Sequence, residues 1–300
     1  MVAGSADRDI RMEGIFVKPL IFQSDFGYAD GAVSAMYGVA ENVCGNLRMY
    51  DLTHDIRPYD IWEASYRLIQ TVGYWPGGSV FVSVVDPGVG PTRRSIAAET
   101  AGGQFIVTPD NGTLTHVKRI AGLVAAREID EVVNRLPGSV DSYTFHGRDI
   151  YAYTGARLAA GILAFSDIGP EVDTDTVTQL PILEALRRDA DVMGTIDVLD
   201  VRFGSLWTNI PKSLFDTLHI GFGEYVEVII CNETRTLYRN FLSYQKSFAD
   251  VNVGEPLVYA NSLDYMAVAI NQGSFANAYN IGTGNSWHIS MRKGPRLVYE

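Results

Sequence analysis

Val80-Phe81-Val82-Ser83-Val84-Val85-Asp86-Pro87-Gly88-Val89-Gly90 passes from a β-branched apolar run straight into an acid and a Pro/Gly turn. A run of this length and composition predicts a buried strand that delivers a carboxylate at its carboxyl end. Similar strands are predicted at Ile15 to Phe22, Leu47 to Leu52 and Gln104 to Thr108. Between the second and third, Asp60-Ile61-Trp62-Glu63 reads as a helix start, with Asp60 as N-cap and Glu63 closing a capping box. Ala64, Leu68, Ile69 and Val72 then form one apolar face at helical spacing. Strands alternating with amphipathic stretches predict an α/β domain whose central sheet is flanked by helices.

Polar residues gather just past each strand: Ser24-Asp25, Asp51 to Asp55, Asp86 to Gly90, and Asp110-Asn111-Gly112. Open α/β sheets place ligands at the carboxyl ends of their strands, so these loops predict one shared site. Each alone also reads as an ordinary turn, since Asp, Asn and Gly favour turns.

From Gly169 to Asp191 the chain carries two prolines, repeated Asp and Thr, and a short helical patch at Ile182 to Arg188, which suits a linker. Beyond it, Tyr225 to Ile230, Thr236 to Phe241, Pro256 to Tyr259 and Tyr265 to Ile270 read as strands. The expected organisation is an α/β domain over residues 14–178, a linker over 179–191, and a smaller all-β, barrel-like domain over 192–300.

Composition narrows the function. The 300 residues carry a net charge of -11, with 24 Lys and Arg against 35 Asp and Glu, and a field of that sign repels polyanions. The longest basic cluster, Arg187-Arg188, sits beside Asp189 and Asp191 and reads as solvated surface. No nucleic-acid partner is expected. Cys44 and Cys231 are isolated, which excludes a disulfide framework and a CxxC metal cluster; both are expected to be buried small apolar residues. No stretch approaches the ~20 apolar residues of a membrane span, and Met1 to Glu13 lacks a signal-peptide core, so a cytoplasmic protein without a membrane partner is expected.

Two stretches carry the candidate chemistry. In Asp86-Pro87-Gly88-Val89-Gly90-Pro91-Thr92-Arg93-Arg94, an Arg93 folded back on Asp86 would keep the carboxylate ionised and offer fixed hydrogen bonds to a small guest such as water; the same residues also suit a structural turn with a local salt bridge. In Tyr143-Thr144-Phe145-His146-Gly147-Arg148-Asp149, His146 precedes a glycine and neighbours charges, which makes it the best base or hydrogen-bond partner among five histidines. His54 is expected to help a loop, and His116, His219 and His288 to be structural. Asp25, Asp86, Asp110 and His146 could ligate a divalent ion, but HxH, HExxH and DxDxDG spacings are missing. The nucleophile elbow GxSxG is missing too, and Gly88-Val89-Gly90 lacks the third glycine of a dinucleotide loop. Farther on, Asp200-Val201-Arg202-Phe203-Gly204-Ser205-Leu206-Trp207-Thr208-Asn209 offers aromatic faces that suit a purine or a sulfonium as well as a core.

Seven ordered motifs resemble the S-adenosylmethionine hydroxide adenosyltransferase family, the water-using relatives of bacterial fluorinase and chlorinase. They are Phe22 to Gly27, Asp51 to Ile56, Asp86 to Arg94, Thr108 to Gly112, Phe145 to Asp149, Phe203 to Asn209, and Asn261-Ser262. The resemblance implies hydrolysis of S-adenosylmethionine to adenosine and methionine, with water attacking the ribose 5′ carbon in line. It assigns Asp86, Arg93 and His146 to the nucleophilic water, where halogenases carry a Tyr and a Thr-rich loop and lack the His. It also implies Asp25 for the ribose hydroxyls, Tyr59 and Phe203 as walls, Asp30 and Asp200 for the methionine end, Ser205 and Trp207 near the base, and Ser262 as a further contact. No cofactor is implied beyond the substrate itself. A homotrimer is implied, with active sites between the first domain of one subunit and the second domain of its neighbour. The chain departs from fluorinase at Ser205, where those carry Asn, and at Leu263, where they carry Arg; Asp264 adds negative charge beside the lost carboxylate partner. Two other readings stand beside the hydrolase: a halogenase, and a non-catalytic protein that binds adenosine or S-adenosylmethionine.

Overall fold

A computed structural model describes residues 17–90, 93–140 and 143–295, and the chain divides after Gln179 into two compact units. The first contains β1 (Leu20–Ser24), α1 (Ala32–Val43), β2 (Met49–Thr53), α2 (Ile61–Val72), β3 (Val80–Val84), β4 (Ser95–Thr100), β5 (Phe105–Pro109), α3 (Thr115–Ile120), β6 (Leu123–Glu128), α4 (Tyr153–Ala159) and β7 (Glu171–Val172). The strands form one sheet in the order β2-β1-β3-β5-β4-β6-β7. The first four in that order run parallel, whereas β4 lies antiparallel to β5 and β6.

Side-chain alternation explains the two layers of helix. Leu20, Phe22, Val80, Val82 and Val84 pack with Met36, Ile150 and Ala156 on one face, while Ile21, Phe81 and Ile106 pack with Leu68 and Val117 on the other. Burying each such side chain contributes about 1.5–3 kcal/mol. The apolar quality of the β3 sequence follows from this covering on both sides.

The expected α2 start is present: Asp60 Oδ1 accepts a 2.8 Å hydrogen bond from the Glu63 amide. The reciprocal half of the box is not made, because the Glu63 carboxylate takes Arg57 instead. Of the expected first strand, Ile15 and Phe16 lie outside the described residues, and pairing begins at Leu20. Before α4, Gly147–Ala152 forms a π-helical turn that continues directly into that helix.

The second unit contains β8 (Leu186–Arg188), β9 (Asp191–Leu199), β10 (Leu206–Pro211), α5 (Lys212–Phe215), β11 (Tyr225–Asn232), β12 (Arg235–Tyr244), β13 (Pro256–Ala260), β14 (Tyr265–Ile270), α6 (Phe275–Tyr279) and β15 (Gly284–Lys293). The order β10-β14-β13-β12-β11-β15-β9 closes on itself through β9–β10 pairing, giving a seven-stranded barrel with β8 attached to β9. Closure leaves no unpaired edge in the ring. Val226, Val228, Ile230, Leu242, Val258, Met266, Val268, Ile289 and Met291 fill its interior.

Three expectations are corrected. Ile182 to Arg188 is not helical: residues 186–188 pair with β9, because that edge offers free backbone partners to an exposed segment. Cys44 and Cys231 are half-buried free thiols rather than core residues; Cys44 caps α1 and Cys231 lies on a barrel strand. His219, expected to be structural, is exposed, in the left-handed region at the end of a 3-10 turn.

Candidate active site

The loops after β1, β2 and β3 meet in a cleft of about 370 Å³ lined by Asp25, Phe26, Tyr59, Asp86, Phe145 and His146 among others. β1 lies between β2 and β3 in the sheet while preceding both in the chain, so the cleft opens where the winding direction reverses, the usual ligand position in such sheets.

Asp86 leaves the end of β3 with a nearly buried side chain, and the Arg93 guanidinium folds back onto its Oδ1. Beside that contact, the Gly88 backbone is the hydrogen-bonding group nearest the carboxylate among the described residues. Burial pushes the Asp86 carboxyl above its usual range, against the positive charge of Arg93 and the backbone at Gly88. The result is an acid able to exchange a proton with a small guest.

His146, 2% exposed, precedes the π-turn. Gly147, next in the chain, makes room for the Phe26 ring, 3.1 Å from where a Cβ would sit, and that ring packs edge-on against Phe145. Burial holds the imidazole below its usual range, so it is neutral near neutral pH. Its Nε2 lies 3.4 Å from Arg135 Nη2.

Asp25 follows β1, and its Oδ2 accepts a 2.8 Å hydrogen bond from the Tyr59 amide. The loop carrying it is braced by a network that sequence patterns had not indicated. Ser24 Oγ lies 2.6 Å from His54 Nδ1, His54 Nε2 lies 3.2 Å from Asp51 Oδ1, and Asp51 also accepts from Tyr28 and Tyr37. Ser24 and His54 are 0% and 1% exposed, so this Ser/His/Asp order cannot present a nucleophile. It fixes the loop instead, consistent with the expected loop role of His54. The motif Asp51-Leu52-Thr53-His54 was the available signal, but which serine it met depended on β1 pairing with β2.

Asp30 lies outside the cleft lining, exposed, with Oδ1 accepting from the Ala32 amide at the start of α1. Asp110 is committed to Arg94 and to the Thr178 amide. Among the described residues no group of three His, Cys, Asp or Glu could hold a metal ion.

In the barrel unit, Phe203 and Ser205 line a pocket of about 630 Å³ with Arg202, Phe248, Asn271 and Ser274. Asp200 Oδ1 accepts from the Arg202 and Phe203 amides and so shapes the turn holding Phe203. Gly204 is required there, with φ +64° and Ser274 pressed against the place a Cβ would fill. Trp207 instead donates to Tyr259 at 3.3 Å and packs on Leu257 and Ala267, while Ser262 lies exposed in the turn between β13 and β14.

Fold and cleft together define an α/β domain with a buried acid, guanidinium and imidazole, followed by a closed β-barrel. The chain belongs to the SAM hydroxide adenosyltransferase family: the model of the family's N-terminal domain matches residues 20–169 and that of its C-terminal domain matches residues 194–288. It is similar to an (R)-S-adenosyl-L-methionine hydrolase of Salinispora tropica, 36% identical with 90% of this chain and 96% of the relative covered. A hydrolase of the same name from Thermus thermophilus is 33% identical, covering 89% and 98%. The fluorinase of Actinopolyspora mzabensis is 27% identical, covering 93% and 99%. A crystal structure of a conserved protein from Thermotoga maritima superposes with a TM-score of 0.83 at 30% identity, covering 91% of this chain and all of that one. No helix among the described residues is long and apolar enough to cross a membrane.

Proposed function

We propose that this chain hydrolyses S-adenosyl-L-methionine to adenosine and methionine, with a preference for the R configuration at sulfur carried by the names of its similar hydrolases. The observation that carries the proposal is the convergence of Asp86, Arg93 and His146 at one cleft of a family member. Water oxygen forms a bond to the 5′ carbon as the carbon–sulfur bond breaks. The bonding pair goes to sulfur and neutralises it, and one proton leaves the water. A sulfonium departs without protonation, so the chemistry calls for no metal or redox cofactor and needs alignment and a proton acceptor. Arg93 holds Asp86 in place and favours negative charge on the attacking oxygen.

Asp25 is assigned to the ribose hydroxyls and Tyr59 to a wall of the sugar; Phe203 and Ser205 are assigned to the adenine, Asp30 and Asp200 to the methionine end, and Ser262 to a further contact. Tyr59 and Phe203 are 72% and 70% exposed in a single chain. Two aromatic walls left in water support a homotrimer in which neighbouring subunits complete each other's sites. Two free thiols support a cytoplasmic location.

Incubation with S-adenosylmethionine and chromatography of the products tests the proposal. Adenosine and methionine in equal amounts are expected. A 5′-halo-5′-deoxyadenosine formed in chloride or fluoride would identify a halogenase instead, and tight binding of unaltered ligand would identify a binding protein.

A further inference from the structure

A chain of polar contacts runs behind His146. Arg135 Nη2 lies 2.8 Å from Glu131 Oε2 and 3.4 Å from His146 Nε2, and the guanidinium covers the Tyr143 ring at 5.1 Å. The other Glu131 oxygen accepts from Ser95 Oγ at 3.1 Å, and Ser95 Oγ is 3.1 Å from the fully buried Tyr151 hydroxyl. The contacts link β4, the segment after β6 and the π-turn.

A guanidinium has donors and no acceptor, so the ring nitrogen facing it must offer a lone pair. That places the single proton of a neutral imidazole on Nδ1, for which the described residues supply no hydrogen bond. We propose that Arg135, braced by Glu131, is a positioning residue that locks His146 as its Nδ1–H tautomer, so that His146 donates a hydrogen bond to the attacking water and Asp86 takes the proton. The roles toward water rest on the hydrolase reading; the tautomer is a property of the resting protein. Burial opposes a second proton on His146, Arg135 and Arg93 add to that opposition, and Glu131 and Asp149 work against it.

Two measurements separate the parts. Long-range proton–nitrogen correlation NMR of histidine-labelled protein at neutral pH should show His146 protonated at Nδ1 and bare at Nε2. An Nε2–H ring overturns the lock. Arg135→Met should lower kcat at least about tenfold with little change in KM, as loss of a tautomer-fixing partner does elsewhere. It should also move the acid limb of the pH profile upward, because the Glu131 charge then acts unopposed on His146. Arg135→Lys should recover part of kcat, and Glu131→Gln combined with Arg135→Met should bring the limb back down. An unmoved limb together with an unmoved tautomer in Arg135→Met overturns the proposal. Absence of adenosine from wild-type protein that shows the expected tautomer overturns the reaction and the role toward water, but not the lock.

Discussion

The Tyr59 amide donates to Asp25 Oδ2 at 2.8 Å, and Tyr59 itself sits at φ +71°, a conformation unfavourable for a side-chain-bearing residue by about 1–2 kcal/mol. One carboxylate oxygen therefore holds the loop before α2, and the proposed ribose contact falls to the other. Asp25→Ala should raise KM by about tenfold or more and lower kcat less. Asp25→Asn, which keeps an acceptor for the amide, should fall between it and wild type. Steady-state kinetics distinguishes these from equal losses in both constants.

Asp86→Asn keeps shape and removes the proton acceptor. Its kcat should fall by about 10²- to 10⁴-fold, the usual range for a lost general base, with KM changed little. A large rise in KM at unchanged kcat would move Asp86 from chemistry to binding.

The acid side of the pH profile should report two groups. Burial raises Asp86, which must be ionised to accept a proton, and lowers His146, which must be neutral to keep the Nε2 lone pair turned to Arg135. Both requirements fail as pH falls, so kcat/KM should drop on the acid side and be flat through neutral pH. A falling limb just above neutral would contradict these assignments.

Stability should also fall with acid through His116, away from the cleft. Buried under the edges of Trp62 and Tyr66 and bonded to Ser65 at 3.0 Å, its imidazole is pushed down to about 4. The unfolded chain takes up a proton near the ordinary value of about 6.5 while the native state refuses it. Stability is therefore full above about pH 6.5 and declines toward pH 4 by about 3 kcal/mol in total. His116→Asn should be less stable at neutral pH but show a shallower decline in urea denaturation followed across that window.

Gly155→Ala should destabilise the first unit by about 1–3 kcal/mol, since its Cβ would lie 2.4 Å from Val82 Cγ2 where α4 crosses β3. Adding Val82→Ala should restore part of the loss in thermal denaturation, because it empties the space the methyl needs. No recovery would place the strain in the helix backbone.

How much of this was legible in the sequence differs by feature. β3 could be read to within one residue because helices cover both of its faces, so four of its five positions are apolar and the exception, Ser83, is buried against Gln23. β4 and β6 escaped notice: Ser95, Ala97 and Ala98 in the first and Ala125 and Arg127 in the second dilute the apolar signal, and both strands owe their place to antiparallel pairing with distant segments. The Arg93 fold-back onto Asp86 was an arrangement the sequence left open, since a Pro/Gly turn can bring its ends together. Arg135 was not expected, because it lies eleven positions before His146 in unpatterned chain and nothing local indicates that they meet. Trp207 lay within a stretch read as part of the site, yet its indole faces Tyr259, a choice set by barrel register rather than by neighbouring residues.

The π-turn over Gly147–Ala152 gives the cleft an unusual sensitivity. Such a turn holds one residue more than an α-helix of the same span. Loss of any one residue there would let the helix heal into regular hydrogen bonding, with α4 still seated on its sheet. Everything before the deletion would then swing by about 100° around the helix axis. His146 would leave the cleft while α4 kept its seat, so a change of length by one residue would take the imidazole out of the site.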